Sequence, residues 1–381
     1  MQACSHKKMQ GYKKQGVYGY VQFIRDLAVA AFLLLSVISH YKFHIKLNRN
    51  EMTEPLPLKS NLKLLAIVSR PEFIPANSAS LMIGVAWALQ FPTDIVAGVL
   101  LPTILTYAII SLVAMFAAQI NTLSDYEADT CDSTKKRLTD ALETLGIKNV
   151  RISMAVELML SLILMIVLYE ILGEIVLVLL WFVGVFFAYS YSSPPIRFKS
   201  RTWLAMISLM LVLSIIPISF VYYSIESTFQ LFFFIFLIGQ ALTVYGVIVP
   251  AEIRDFFMDK SSGISTLTVH LGLVRASALA IFLLTLGGLL CGTGLFLGFA
   301  QIGQSFLAFS LLIMAFVYAT VLRHYFTLYQ LSRRYQSSKN EEISRDIIEL
   351  ATRNPKWITW ISQSIVLMCI ILIVGKLLAF F

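Results

Sequence analysis

The stretch IVAGVLLPTILTYAIISLVAMFAAQINTLSDYEAD, residues 95–129, decides the fold. From Ile95 to Ile120 it carries no charge. That is long enough to cross a bilayer as a helix, which takes about 20 predominantly apolar residues. Asn121, Asp125, Glu127 and Asp129 then arrive together. On a helix, residues four apart share a face, so Asn121, Asp125 and Asp129 form one polar stripe at the mouth of an apolar segment.

Composition extends this reading to the whole chain. Of its 381 residues 58% are hydrophobic and 14% charged, with a mean hydropathy of +0.78. Soluble domains carry about 25% charged residues, so a soluble fold is excluded. Nine stretches are apolar enough to span, at about 74–93, 97–120, 152–170, 174–191, 203–223, 229–250, 276–299, 304–322 and 357–376. The expected fold is an all-α, multi-pass membrane protein with a nine-helix bundle and an N-terminal extension. The net charge of +8 bears on orientation, and no basic motif points to nucleic acid. Cys4, Cys131, Cys291 and Cys369 have no metal-ligand spacing, so neither a disulfide framework nor a zinc site is expected.

Loop charges set the orientation. The connections after spans two, four, six and eight hold Lys135, Lys136, Arg137, Lys148, Arg151, Arg197, Lys199, Arg201, Arg254, Lys260 and Arg275, and seven further bases from Arg323 to Lys356. The connections after spans one, three, five and seven hold none. The rule that positive loops stay inside places the even-numbered connections in the cytoplasm. Residues 1–64 form a basic extension ahead of a membrane domain at 65–381. Its short apolar run from Leu27 to Tyr41 is expected as an interfacial helix rather than a tenth span. Crossing would leave Lys7, Lys8, Lys13, Lys14 and Arg25 outside, whereas lying flat lets them meet anionic membrane lipids. The mixed-charge stretch from Tyr325 to Lys356 reads as a solvated cytoplasmic helix pair.

A second acid cluster, AEIRDFFMDK at residues 251–260, ends span six. Asp255 and Asp259 repeat the spacing of Asp125 and Asp129, and Glu252 joins them at i, i+3 and i+7. If the two helices converge, about five carboxylates face one cavity, and like charges there disfavour ionisation. A divalent cation removes the conflict. Oxygen ligands without Cys or His favour Mg²⁺, which commonly takes one or two carboxylates plus substrate phosphates.

Basic side chains complete the expected site. Pro194 and Pro195 in YSYSSPPIRFKSR, residues 189–201, stop the helix and fix an extended turn that aims Arg197 and Lys199 at the cavity. These bases read either as phosphate ligands or as interfacial anchors, as does Arg70 ahead of span one. Asn77 and Glu157 are polar groups inside spans. Asn77 reads as pocket lining or packing contact, and Glu157 as a candidate for an acceptor pocket.

These segments resemble the UbiA-type intramembrane prenyltransferases. NTLSDYEAD resembles their NxxxDxxxD motif, and DFFMD their DxxxD motif, continuing into KSSGISTLTVHLG. YSYSSPPIRFK is similar to their Tyr-Ser-Pro-Pro segment, and SRPEFIPANSASLMIGVAWA to their Arg-Pro first helix. The order and spacing agree from about residue 65 to 376. One departure is TCDSTKKRLTDALETLG, where many members carry an Asn-Arg-Pro-x-Arg-Pro stretch. Lys135, Lys136 and Arg137 stand there as substitutes.

The resemblance implies transfer of a prenyl group from an isoprenyl diphosphate to a hydrophobic, often aromatic, acceptor. It implies Mg²⁺ held by Asn121, Asp125, Asp129, Glu252, Asp255 and Asp259. It implies diphosphate contacts from Arg70, Lys135, Arg137, Arg197, Lys199 and Lys260 as well as Asn121. Tyr191 would neighbour the allylic cation, or serve as a packing tyrosine. Lipid, carotenoid or tetrapyrrole acceptors and terpene cyclisation use the same site. A divalent cation transporter is the rival of another class, and it would place acids near the midplane.

Overall fold

Long apolar runs satisfy their backbone polar groups in lipid by coiling into helices. The computed structural model describes residues 58–70, 74–89, 96–130, 135–261, 263, 265–300 and 304–378. The expected interfacial helix at 27–41 lies outside them. Among the described residues all regular structure is helical. The order begins with α1 (Leu58–Val68), which runs across the expected domain boundary at residue 64, then α2 (Ile74–Ala88) and α3 (Val96–Asp129). α4 (Lys136–Leu145), α5 (Ile147–Leu172), α6 (Ile175–Ser192) and α7 (Thr202–Met210) follow, then α8 (Ile216–Tyr223) and α9 (Leu231–Ser261). The short α10 (Leu267–Leu271) precedes α11 (Leu273–Gly298), α12 (Gln304–Ser338), α13 (Glu341–Thr352) and α14 (Asn354–Leu378).

Eight helical segments among the described residues are long and apolar enough to cross a membrane. The described part of the first expected span, α2, has 15 residues. Eight of the nine expected spans coincide with these segments, and the first falls on α2. The fifth is α7 and α8 joined by a π-turn at Leu211–Ile215. Pro217, at the start of α8, lacks the N–H that would bond one turn back, and the wider turn absorbs that loss.

The exterior is apolar and the interior partly polar. Leu312, Leu289 and Phe182 are about 60% exposed, whereas Gln119, Ser161 and Thr106 are fully buried. α9 and α11 cross closely at Gly239 and Gly287. A Cβ on Gly239 would stand 2.8 Å from the Gly287 carbonyl oxygen, so only glycine permits this approach. Trp87 of α2 packs edge-on against Phe299 at 4.9 Å and against Phe236 at 5.4 Å.

The expected polar helix pair is present as the end of α12 and α13. Asn340 caps α13 by accepting from the Glu342 amide at 2.8 Å. The pair is more than a solvated arm. Ile347 is fully buried, and Asn354 donates to the Val247 carbonyl at 2.6 Å while accepting from Tyr325 at 3.1 Å.

Candidate active site

α3 runs unbroken from its apolar run through the first acid stripe, so Asn121, Asp125 and Asp129 keep their helical spacing. Asn121 Oδ1 accepts from Ser192 Oγ at 2.8 Å, tying α3 to the end of α6. Beyond α6, Ser193 is extended as the residue before a proline should be. The Pro194–Pro195 peptide is cis, and the Arg197 amide donates to the Ser193 carbonyl at 2.9 Å. The segment is therefore a tight turn rather than the extended one expected, because the Arg197 amide closes it. It still delivers both bases. Lys199 Nζ contacts Asp125 Oδ1, and Arg197 Nη2 lies 3.4 Å from the same oxygen. Burial pushes the Lys199 ammonium below the ordinary lysine value, and Asp125 pulls it back up.

Asp129 is 3% exposed and takes Lys135 Nζ at 2.7 Å, with Arg70 Nη2 at 3.8 Å. Arg70 and Arg197 both adopt positive φ, at 53° and 40°. Such backbone costs about 1–3 kcal/mol and persists where surrounding contacts over-determine it.

The second acid group is carried by α9. Pro250 lies inside that helix, and one turn earlier Gly246 faces α11, where a Cβ would stand 3.2 Å from the Leu284 amide nitrogen. Glu252 accepts from the Tyr245 hydroxyl at 3.0 Å and from Thr268 Oγ1 at 2.9 Å. Asp255 takes a two-pronged contact from Arg254, at 2.7 and 2.9 Å. Asp259 lies in the electrostatic field of Asp255, Lys135 and Lys199. Lys199 also interacts with Asp125 and Asp129, and Tyr191 with both Asp125 and Glu252. Two lysines and one tyrosine thus stand within electrostatic range of acids that are distant in sequence.

Residues 78–338 match the UbiA prenyltransferase family. The chain belongs to this family. The UbiA-family chain is similar to the solved digeranylgeranylglyceryl phosphate synthase, at 17% identity and a TM-score of 0.55, covering 83% of this chain and 98% of that one. It is also similar to a UbiA homologue from Archaeoglobus fulgidus solved with DMAPP and Mg²⁺, at 16% identity and a TM-score of 0.53, covering 77% and 99%. A UbiA homologue from Aeropyrum pernix K1 in its apo form aligns at 14% identity and a TM-score of 0.53, covering 80% and 98%. At these identities the likeness is one of fold. No curated protein matches the chain.

Several of the expected site residues of this UbiA-family chain stand apart from the four aspartates. Five carboxylates do not crowd together: among the described residues no three His, Cys, Asp or Glu side chains stand close enough to share a cation. Bases and hydroxyls from neighbouring segments take up the acids in ones and twos instead. Glu252, expected to bind metal, has both oxygens engaged by hydroxyls. Arg137 is exposed on α4, and Lys260 is exposed with its ammonium 5.8 Å from the Phe256 ring centre. Neither forms an ion pair with the four aspartates among the described residues. Asn77 is half-buried on α2, and no contact among the described residues brings it to Glu157.

Other contacts escaped the sequence. Tyr245 stands seven residues before Glu252, two turns along the same face, so its contact was readable in principle. Arg254, beside Asp255, counted only as a loop charge. Ser192, Ser69 and Gln119 carried no signal beyond being polar near a span end.

Proposed function

We propose that the chain transfers an isoprenyl group from an isoprenyl diphosphate to a hydrophobic or aromatic acceptor within the membrane, with Mg²⁺ as cofactor. The observation that carries this is the gathering of Arg70, Lys135, Arg197 and Lys199 on Asp125 and Asp129 of the first motif. Lys135 and Lys199 also act electrostatically on Asp259 of the second motif, which supports one diphosphate site between the two. The Archaeoglobus fulgidus homologue, solved with DMAPP and Mg²⁺, supports the same reading.

The residues fit the metal. Asp129 Oδ2 is buried without a hydrogen-bond partner, and the donors are oxygens with no thiolate or imidazole among them. Asn121, Asp125 and Asp129 would hold Mg²⁺ on one side, and Asp255 and Asp259 on the other. Acids spread in ones and twos suit a cation that takes one or two carboxylates and completes its shell with substrate phosphates. When bound, Mg²⁺ neutralises diphosphate oxygens and acts as a Lewis acid toward the departing group.

The chain supplies the rest. Lys199, Lys135, Arg197 and Arg70 grip phosphate oxygens with charge-assisted hydrogen bonds. The apolar interior accepts the prenyl tail and keeps water from the allylic cation formed as the carbon–oxygen bond breaks. Tyr191, beside acids of both motifs, offers its ring to that cation. The basic loops at this end support a cytoplasmic-facing diphosphate site.

Purified protein incubated with isoprenyl diphosphates of several lengths and a panel of acceptors, read by mass spectrometry, tests the reading. Prenylated acceptor and released pyrophosphate, both lost on Mg²⁺ chelation, are expected. No Mg²⁺-dependent consumption at any chain length overturns it. Cyclic hydrocarbon formed without acceptor replaces transfer by cyclisation.

A further inference from the structure

A buried polar chain runs behind Asp129. Glu157 on α5 is 5% exposed and lies within a membrane span. Its Oε1 accepts from Gln119 Nε2 at 2.6 Å and from Ser153 Oγ at 3.0 Å. The same Gln119 amide group donates to Ser69 Oγ at 2.9 Å. Ser69 immediately precedes Arg70, whose guanidinium faces Asp129. An acid inside the bilayer is expensive and is a functional group by default. Here the partners of Glu157 are a neutral amide and a neutral hydroxyl, so charge pairing with them does not account for it.

The chemistry of the amide supplies an account. A carboxylate accepts and does not donate, so it selects the NH₂ end of Gln119 and turns the carbonyl end away. Gln119 Oε1 is indeed buried without a hydrogen-bond partner. With the NH₂ group so fixed, its second hydrogen is available to Ser69. Ser69 and Arg70 close the end of α1, their amides donating to the Leu65 and Ile67 carbonyls at 2.9 and 3.2 Å. Arg70 leaves this turn in left-handed backbone, a conformation that needs external support.

We propose that Glu157 is a positioning residue for Arg70: it orients the Gln119 amide, which pins Ser69 and so holds the turn from which Arg70 reaches the diphosphate site. The proposal rests on the reading of Arg70 as a diphosphate ligand. Glu157 then acts on substrate capture and not on the chemical step. It also leaves acceptor recognition to other residues.

A double-mutant cycle tests this. Glu157→Leu, Ser69→Ala, Arg70→Ala and the two double variants are purified in detergent, and their folding is checked by thermal melting. Binding of inorganic pyrophosphate with Mg²⁺ is measured alongside KM and kcat for an isoprenyl diphosphate. Glu157→Leu should weaken pyrophosphate binding and raise KM about tenfold with kcat within twofold, and Ser69→Ala about threefold. In the Arg70→Ala background each should change binding less than about twofold, since coupled residues are not additive. Glu157→Gln, whose carbonyl still accepts, should recover most of the affinity. Equal losses in both backgrounds, or a fall in kcat alone, overturn the proposal. Loss in Arg70→Ala with none in Glu157→Leu and Ser69→Ala removes the relay but keeps the diphosphate site. No loss in Arg70→Ala removes Arg70 from the site, and the relay with it. Should Glu157→Leu fail to fold, Ser69→Ala decides, since it cuts the relay without disturbing the acid.

Discussion

Asp125 and Asp129 on α3 take four bases from three separate segments: Arg70 ahead of α2, Lys135 ahead of α4, and Arg197 and Lys199 after α6. On α9, Asp255 takes its guanidinium from the preceding residue, Arg254, and Glu252 takes hydroxyls from Tyr245 and Thr268. The first acid group is a long-range assembly, in which charge gathers loops that are far apart in sequence. The second is local and is carried by α9, the helix that crosses α11 at Gly239 and Gly287. Damage to the first should therefore reach the fold, and damage to the second should stay with the chemistry.

The largest effect tests what the two groups share. Asp125→Asn and Asp255→Asn should each lower transfer by about a thousandfold or more, because each removes a carboxylate that would hold Mg²⁺ against the diphosphate. Survival of transfer in either would break the symmetry of the reaction assigned to them. Stability should then separate the groups. Asp129→Asn replaces a buried carboxylate that takes a charged hydrogen bond from Lys135 and faces Arg70, at a cost of about 1.5–3 kcal/mol. Asp255→Asn alters a one-third exposed pair between neighbours and should cost less than about 1 kcal/mol. Denaturation in mixed micelles compares them, and equal losses would erase the distinction.

Smaller effects sharpen it. Gly287→Leu drives a side chain into the α9 backbone and should destabilise by about 1–3 kcal/mol, with turnover per folded molecule unchanged. Lys199→Ala should raise KM for the diphosphate about tenfold, and Arg197→Ala only about twofold, since Lys199 is 18% exposed and Arg197 41%. Ser192→Ala, which removes the bond to Asn121, should cost about 1 kcal/mol, read as a small fall in melting temperature.

The spans were legible because lipid makes one demand of every one of them, which apolar length alone records. Both aspartate motifs were legible because their four-residue spacing survives on α3 and α9 as an unbroken helical stripe. The neutralisation of those acids was not. The Pro194–Pro195 turn pointed Lys199 toward the cavity, but nothing local says that it pairs with Asp125, 74 residues away, while Lys260, one residue from Asp259, turns onto the Phe256 ring. Gln119 was hidden because a single amide in an apolar run looks the same whether it bonds its own helix or another.

Four cationic side chains around two carboxylates leave the first acid group with a surplus of positive charge. A diphosphate ester in the adjoining aqueous layer feels that field before it touches any side chain. Such fields raise capture rates and are screened within about 10 Å at 0.1 M salt. Ionic strength should therefore throttle the encounter and leave turnover at saturation alone, which makes the arrangement a collector of dilute anions as much as a vice for holding them.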